Sequence, residues 1–430
     1  MNRFTKVLVA LIVSFFINIY CDSEKIFAQI ELESTGNFRI PVLIAQSWAN
    51  SESKIFPDDN FKNLVKKIAQ NISLSGQFDV HIKDLELPKK KSDIKNLSEQ
   101  GFYLVVFIEQ SFDKKFIEFR VYDSALGDMV KGKKIEMCEN IADVISNHIW
   151  LELSGEQGVF GTKIAYVKRV SNSRSSHKSV VCVADVFGKN ELKIVKNSTI
   201  NIKPQFVKTN NILKLFYSEF TAGNVRLMSI NLDGNGKRSV FDFDGTIVGI
   251  SCSSNGQEAA YCRSGDIWHY SYDSAAKKSI HKKIVYDFGN SSCPNLLFNG
   301  DIIFASDAGG KNCSIYIYRK SSGQPEKLNI SGYCVAPSWS SVNNKLVYSK
   351  KVNSLMQLFT YDLNNHKEEQ ITFGAGNKID ACWSPCGNYL LFCYQNNKLS
   401  RIARVHVVVK EINFITPETD FCSYAAWQVN

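Results

Sequence analysis

Residues 379–392 read Ile-Asp-Ala-Cys-Trp-Ser-Pro-Cys-Gly-Asn-Tyr-Leu-Leu-Phe, and this stretch decides the fold. A short apolar strand ends at Trp383, a tight turn contains Pro385 and Gly387, and a second apolar strand begins at Tyr389. An isolated two-stranded hairpin is marginally stable in water. We therefore expect this hairpin to be repeated along the chain or covered by other strands.

The hairpin is repeated. Trp383 lies 44 residues after Trp339 and 44 residues before Trp427. The same spacing continues less sharply toward the N-terminus at three further positions: Leu296, Cys252 and Phe206. A repeat of about 40–45 residues with four short strands per unit is typical of a β-propeller blade. The repeat predicts that the larger part of the chain is a propeller.

The number of blades follows from the two ends of the repeated region. The first unit, residues 162–199, begins where the second strand of a blade is expected. Residues 422–429 supply a surplus strand that places Trp427 in register with the innermost strands. Pairing this last strand into the first blade would remove two open sheet edges. We therefore predict a six-bladed propeller over residues 162–430, closed by the C-terminal strand.

A smaller α/β domain is predicted ahead of the propeller, over residues 29–155. Asp58 and Asp59 are good helix caps, and apolar residues follow them at helical spacing until Ser75-Gly76. The pattern predicts a sheet covered by two helices, with strands at 39–45, 78–82, 102–108 and 116–122 and helices at 61–72 and 141–149. Residues 29–36, at the start of the domain, fit either an edge strand or an arm.

The N-terminus has the features of a secretory signal peptide. Arg3 and Lys6 precede an apolar run from Val7 to Ile19 that is too short to span a bilayer comfortably. Cleavage after Ala28 would remove residues 1–28. No later run approaches eighteen apolar residues, so we expect a soluble protein in an exported compartment.

Composition and motifs argue against several classes of function. The net charge of +9 comes from 51 basic and 42 acidic residues that are scattered along the chain, which does not resemble a nucleic-acid footprint. The chain has no G-x-S-x-G elbow, H-E-x-x-H pair or Walker loop, and its seven histidines are dispersed. We therefore expect no enzymatic activity, no cofactor and no metal site.

The cysteine content leaves two interpretations open. Of twelve cysteines, Cys21 would leave with the signal peptide, so an odd number remains. Most are expected to be small buried residues on strands. Two pairs that straddle single hairpins are candidate disulfides: Cys252 with Cys262, and Cys382 with Cys393.

The junction between the two domains resembles a known family. Residues 153–167 read Leu-Ser-Gly-Glu-Gln-Gly-Val-Phe-Gly-Thr-Lys-Ile-Ala-Tyr-Val, which is similar to the interdomain linker of the TolB family, the periplasmic propeller proteins of the bacterial Tol-Pal system. The segments 74–78, 337–340 and 383–387 also resemble family motifs. Cys386 and the pair Asn343-Asn344 depart from them, since the family carries Asp or Asp-Gly there.

The resemblance implies a periplasmic, non-enzymatic scaffold that supports outer-membrane integrity and envelope constriction at cell division. Its implied partners are the peptidoglycan-associated lipoprotein Pal, bound by the propeller, and TolA, bound by the N-terminal arm; other outer-membrane lipoproteins or porins are further candidates. Association with a membrane would occur only through these partners. The candidate binding residues are Gln29, Ile30, Glu31, Leu32 and Glu33 of the arm, and Asp307, Lys311 and Lys351 of the propeller loops.

Two other classes of function remain open from the sequence. A lectin-like propeller would have an aromatic-lined pocket and would bind a small sugar. An accessory propeller of a hydrolase would need an α/β-hydrolase domain, and the N-terminal domain is small and lacks the nucleophile elbow.

Overall fold

The computed structural model describes residues 39–47, 58–170, 178–196, 199–209, 211–221, 224–241, 246–253, 256–273, 275–310, 312–397 and 399–428. The predicted signal peptide, the predicted arm with its five candidate residues Gln29–Glu33, and the candidate Lys311 lie outside these residues. Among the described helices, none is both long and apolar enough to cross a membrane.

The N-terminal domain is built on a five-stranded mixed sheet. The strand order is β2-β1-β3-β4-β5, with β1 parallel to β2 and β3 and the remaining neighbours antiparallel. Its strands are β1 (Ile40–Ser47), β2 (Phe78–Asp84), β3 (Leu104–Gln110), β4 (Phe116–Asp123) and β5 (Asp128–Glu136).

Three helices cover the two faces of this sheet: α1 (Asp59–Ile72), α2 (Lys91–Glu99) and α3 (Ile141–Ser154). The Asp58 side chain caps α1 by accepting from the Phe61 N–H at 2.8 Å, as its sequence predicts. Helices α1 and α3 pack in one cluster with the alternate β1 residues Val42 and Ile44. Helix α2 packs on the opposite face.

The sequence-based prediction missed α2 and β5. Helix α2 buries only Ile94 and Leu97, so its apolar periodicity is too short to read. It begins at Lys91, the last of three consecutive lysines, and the Asp93 carboxylate in its first turn accepts from the backbone N–H groups of Lys89 and Lys90 at 2.9 and 3.0 Å. Strand β5 is exposed along almost its whole length and has no apolar alternation.

The described residues from Lys163 onward form six four-stranded antiparallel sheets, which confirms the predicted six-bladed propeller. Written from the innermost strand outward, the first blade consists of β29 (Cys422–Trp427), β6 (Lys163–Arg169), β7 (Ser179–Asp185) and β8 (Leu192–Val195). The second consists of β9 (Ile200–Thr209), β10 (Ile212–Thr221), β11 (Asn224–Asn231) and β12 (Arg238–Ser239). The third consists of β13 (Ile247–Cys252), β14 (Glu258–Arg263), β15 (Asp266–Asp273) and β16 (Lys278–Val285).

The fourth blade consists of β17 (Ser291–Leu296), β18 (Ile302–Ser306), β19 (Ser314–Arg319) and β20 (Gln324–Lys327). The fifth consists of β21 (Cys334–Ser340), β22 (Lys345–Val352), β23 (Leu355–Asp362) and β24 (Glu368–Gln370). The sixth consists of β25 (Asn377–Trp383), β26 (Tyr389–Gln395), β27 (Ser400–His406) and β28 (Ile412–Phe414).

The last strand closes the ring as the sequence predicts. Strand β29 pairs antiparallel with β6, with Trp427 opposite Ile164 and Cys422 opposite Lys168. The Trp427 indole is 4% exposed, and its Nε1 donates to Thr162 Oγ1 at 2.9 Å. The first blade therefore takes its innermost strand from the C-terminus of the chain.

Trp383 packs between the fifth and sixth blades. Its indole lies in a buried cluster with Val347 and Leu358 of the fifth blade and Leu390 of the sixth. Its Nε1 donates to the Ser338 carbonyl of β21 at 3.1 Å. The repeated aromatic position is therefore a contact between neighbouring blades.

The structure contradicts both candidate disulfides, because all eleven described cysteines are free thiols. Strand register explains this result. Cys252 pairs with Ala259 rather than Cys262, and Cys382 pairs with Leu391 while Cys393 pairs with Ile379. A disulfide needs the two Cα atoms within about 4.4–6.8 Å, which directly opposed residues satisfy and offset residues do not.

The propeller has two distinct faces. In each antiparallel blade, the loops between the second and third strands lie on the same side as the loops between blades, which we call the upper face; the other loops form the lower face. The α/β domain contacts the lower face. Arg404, which is 6% exposed, donates to the Val186 carbonyl of the first blade at 2.7 Å and to the Leu74 carbonyl of the α/β domain at 3.3 Å. Burial lowers the pKa of Arg404 to about 10.

Candidate functional site

The innermost strands of the six blades enclose a central channel. Its volume is about 850 Å³, and its walls come from β9, β13, β17, β21, β25 and β29. This volume lies within the range of about 300–1,000 Å³ that ligand pockets occupy. The channel is therefore large enough for a small molecule.

Each of these six strands contains one register irregularity against its neighbour, and one residue there has a positive φ angle. A bulge re-aims side chains relative to the regular pleat. These residues form a ring that lines the channel, and we call them the bulge ring: Lys203 (φ 48°), Gly249 (79°), Cys293 (51°), Ala336 (51°), Asp380 (51°) and Tyr424 (53°). Five of the six are not glycine, so the fold holds a sparsely populated conformation in five of the six blades.

Two members of the bulge ring are in direct contact. The Lys203 ammonium donates to Cys293 Sγ, with a distance of 2.8 Å between Nζ and Sγ. Burial opposes the charge on Lys203, but the Cys293 sulfur and the Asp380 carboxylate outweigh burial and raise the pKa of Lys203. Lys203 therefore remains an ammonium ion inside the channel.

The other polar members of the ring face the same space. Burial raises the pKa of the Asp380 carboxyl, and the Lys203 charge acts in the opposite direction. Burial and the charge of Asp380 raise the pKa of the Tyr424 hydroxyl. The lumen thus contains a cation, a thiol, a carboxyl group and a phenol.

The upper face presents a second feature, a set of exposed aromatic side chains. Four consecutive inter-blade loops each place one aromatic residue at the surface, and we call this set the aromatic rim: Tyr286 (57% exposed), Tyr333 (39%), Phe373 (59%) and Phe421 (44%). Large aromatic residues are enriched among the residues that dominate protein–protein binding energy. The rim gives the upper face an apolar edge on the third to sixth blades.

Asp307, a predicted binding residue, lies on the upper face in the β18–β19 loop. Its carboxylate accepts from the backbone N–H of Asn290 at 2.7 Å and from Asn290 Nδ2 at 3.0 Å. These hydrogen bonds lower the pKa of Asp307. Asp307 therefore joins its own loop to the neighbouring inter-blade loop, residues 286–290, which carries Tyr286.

Lys351 lies near the end of β22, also on the upper face, and its side chain is exposed. Its backbone N–H donates to the carbonyl of Tyr333, a rim residue, at 3.0 Å. The structure thus places Asp307 and Lys351 on one face, on neighbouring blades, each beside a loop that carries a rim aromatic.

Sequence reasoning missed the bulge ring and the aromatic rim. A signal for the ring is present, because each ring residue stands three positions before the repeated position occupied by Phe206, Cys252, Leu296, Trp339, Trp383 or Trp427. The rim has no comparable signal, since its residues stand at different distances from the repeat positions.

Within the described residues, no group of three or more His, Cys, Asp or Glu side chains is arranged to hold a metal ion. The channel presents charged groups in its lumen, and the upper face presents aromatic groups at its edge.

Comparisons with known proteins agree with this architecture. The family model described as "TolB beta propeller domain" matches residues 150–429. A "Tol-Pal system protein TolB" from Francisella tularensis subsp. tularensis is 23% identical over 405 residues, covering 90% of this chain and 91% of the relative. A protein of the same name from Nitrosococcus oceani is 24% identical over 234 residues, covering 52% of each.

The crystal structure of TolB from Acinetobacter baumannii superimposes with a TM-score of 0.76 at 18% sequence identity, covering 91% of this chain and 98% of that chain. At this identity the likeness shows a shared fold. The family match covers the whole propeller and reaches back into α3. The chain belongs to the TolB β-propeller family.

Proposed function

We propose that this protein is a periplasmic, non-catalytic binding scaffold of a Tol-Pal system, and that the upper face of its propeller binds the peptidoglycan-associated lipoprotein Pal. The observation that carries the proposal is the aromatic rim. Four exposed aromatic side chains on consecutive loops are costly to leave in water, and they suit a protein partner that buries them. The names of the curated relatives support the assignment to this system.

Charged and polar groups beside the rim would give the contact its orientation. Lys351 is exposed next to the Tyr333 loop, and Asp307 holds the preceding inter-blade loop in place. Interfaces commonly combine desolvated aromatic residues at their centre with polar residues at their periphery. The polar residues contribute specificity more than affinity. Asp307 would act by positioning its neighbour, and Lys351 by meeting an acidic group of the partner.

The rim proposal is tested by measuring the affinity for the Pal of the same organism by isothermal titration calorimetry. Phe373→Ser combined with Phe421→Ser should weaken binding by about 30-fold or more, since loss of a dominant aromatic residue costs about 2 kcal/mol or more. Phe298→Ser is the matched control, because Phe298 is an aromatic side chain 78% exposed on the lower face. Equal loss in the control, or unchanged affinity in the double variant, would refute the assignment of this face.

We also propose that residues 29–36 recruit TolA. Deletion of these residues should abolish capture of TolA from solution and leave the affinity for Pal within about twofold. The measurement is a pull-down with each partner on the same protein preparation. Loss of Pal binding alone would contradict this division of roles between arm and propeller.

The glycan-binding alternative makes a different prediction for the same protein. The channel wall includes Trp339 and Tyr272, so a sugar-binding propeller would use the lumen and leave the rim unused. A glycan array that gives binding, together with a Pal titration that gives none, would replace the scaffold proposal.

A further inference from the structure

We propose that Cys293, paired with Lys203 inside the propeller channel, is a reactive thiol that undergoes exchange with small uncharged disulfides. The proposal is independent of the upper-face assignment, because it concerns the lumen. It rests on where the bulge ring places the sulfur, on the cation beside it, and on the contrast with the other cysteines.

The first step is access. Cys293 sits at the β17 bulge, between the paired residues Ser292 and Asn295, with φ 51°. The bulge turns Cys293 into the wall of the channel, and the residue is half-buried rather than enclosed. A lumen of about 850 Å³ admits a small molecule to this sulfur.

The second step is activation. The thiolate, not the thiol, is the nucleophile in cysteine chemistry, and an adjacent ammonium ion favours it. Lys203 Nζ stands 2.8 Å from Cys293 Sγ and donates to it. Among the described cysteines, Cys293 is the one whose sulfur accepts a hydrogen bond from a charged side chain.

The third step is the contrast with two other thiols that line the same channel. Burial raises the pKa of Cys252 and of Cys382 to about 12 in each case. These two thiols remain protonated near neutral pH and are poor nucleophiles. The lumen thus contains one cysteine with a cationic partner and two that serve as internal controls.

The charged and titratable groups that face Cys293 define the ligand class. Lys203 on β9 attracts negative charge, while Asp380 on β25 repels it, and Tyr424 on β29 stands nearby. Cys262 and Cys313 are also neighbours, and burial raises the pKa of each to about 11. Opposed charges in one lumen favour an uncharged reagent over an anionic one.

The reaction balances without any further reagent. The Cys293 thiolate attacks one sulfur of a disulfide R–S–S–R, and a new sulfur–sulfur bond forms between Cys293 and that half. The old sulfur–sulfur bond breaks, and the other half leaves as RS⁻ with the electron pair and takes a proton from water. Cys293 is oxidised to a mixed disulfide, and one half of the small disulfide is reduced to a thiol.

The test uses dithiodipyridine, an uncharged disulfide that releases a coloured thiopyridone. The background is the full chain carrying C21S and C138S, because Cys138 is exposed and Cys21 lies outside the described residues. We expect one fast phase of thiopyridone release, with the adduct on Cys293 by tandem mass spectrometry, and no fast phase after C293S.

The Lys203 variants separate activation from simple exposure. At pH 7, K203Q should slow the fast phase by about tenfold or more, and K203R, which keeps a cation, should retain most of the rate. D380N should match or exceed the background rate, because it removes the repelling charge. The slowing in K203Q should shrink at a pH above the ordinary thiol pKa, where every accessible thiol is ionised.

Two results would overturn the proposal. One is a fast adduct on another described cysteine in place of Cys293. The other is an unchanged rate in a K203Q variant whose circular dichroism spectrum matches the background. If K203Q does not fold, a K203R rate that falls to the level of C293S has the same consequence.

Discussion

Removing the Trp427 side chain should destabilise the pairing of β29 with β6, which closes the propeller ring. Trp427 is the largest buried side chain of β29, at 4% exposure, and its indole lies in the same cluster as Tyr166 of β6 and Tyr389 of β26. Replacing a buried aromatic residue by Ala costs about 3–5 kcal/mol through lost transfer free energy and the cavity left behind. W427A should lose this amount of unfolding free energy.

W427F separates the hydrogen bond from the packing. The indole Nε1 donates to Thr162 Oγ1, and that hydroxyl itself donates to the Val159 carbonyl at 2.6 Å. Thr162 therefore keeps one partner when the indole is lost. A hydrogen bond contributes about 1 kcal/mol net to stability. W427F should therefore lower the free energy of unfolding by about this amount, plus a further loss because phenyl fills less space than indole.

W383A is the matched control, because Trp383 occupies the same repeat position, is 5% exposed and donates one hydrogen bond to a carbonyl. Both Ala variants should cost about the same in urea unfolding monitored by circular dichroism. Hydrogen exchange should differ between them. W427A should lose protection in residues 163–169 and 422–428, whereas W383A should keep it there. Equal protection of those segments in both variants, or a loss in W427A below about 1 kcal/mol, would refute the closure argument.

Two further predictions concern loops. Hydrogen bonds from Asn290 lower the pKa of Asp307 below its ordinary value of 3.8. The ionised carboxylate therefore stabilises the folded protein at pH values above 3.8, and this stabilisation is lost as the pH falls through the lower pKa of the folded state. D307N should therefore speed hydrogen exchange of the Asn290 amide at neutral pH, with the difference vanishing in acid; equal rates at neutral pH would contradict this. Gly188 and Gly155 have similar φ angles, 75° and 72°, but a Cβ at Gly188 would lie 2.6 Å from Ile415 Cγ2, while nothing lies within 4 Å at Gly155. In denaturant unfolding, G155A should lower the free energy of unfolding by about 1–2 kcal/mol because of the left-handed backbone alone. G188A should lower it clearly more, because its Cβ also clashes with Ile415; similar losses for the two variants would show that the loop moves to relieve the clash.

The propeller could be predicted from the sequence because one position recurs at nearly constant spacing. Trp339, Trp383 and Trp427 occupy it 44 residues apart, and Trp383 fills the contact between the fifth and sixth blades. The unpaired first unit and the surplus last strand then determine how the ring closes. Both inferences use local patterns that survive in a single sequence.

The α2 helix and the binding surfaces could not be predicted in the same way. Helix α2 buries only two apolar side chains, and the Asp93 carboxylate accepts a hydrogen bond from the Lys89 backbone N–H at its start. Two apolar positions are too few to form a recognisable helical period. Aromatic residues such as Phe373 and Phe421 are visible in the sequence. That they lie on the same face of the propeller follows from the strand directions in the blades, which are known only once the fold is known.

The bulge ring was hidden for a different reason. A left-handed residue is usually signalled by glycine, but Gly249 is the only glycine in the ring. At the other positions the backbone conformation is imposed by the register shift between the two innermost strands of the blade. Tertiary structure, not local propensity, determines which residues line the channel.

The pairing of β29 with β6 also determines when folding can finish. Strand β6 is synthesised long before β29, and the hydrogen bond from Trp427 to Thr162 spans 265 positions of the chain. Until the last residues are available, the first blade has an exposed inner edge that a neighbouring chain could use. A chain that lost its final strand through early termination would keep most of the repeat and still present that edge. Strand β29 is therefore the element whose pairing closes the propeller.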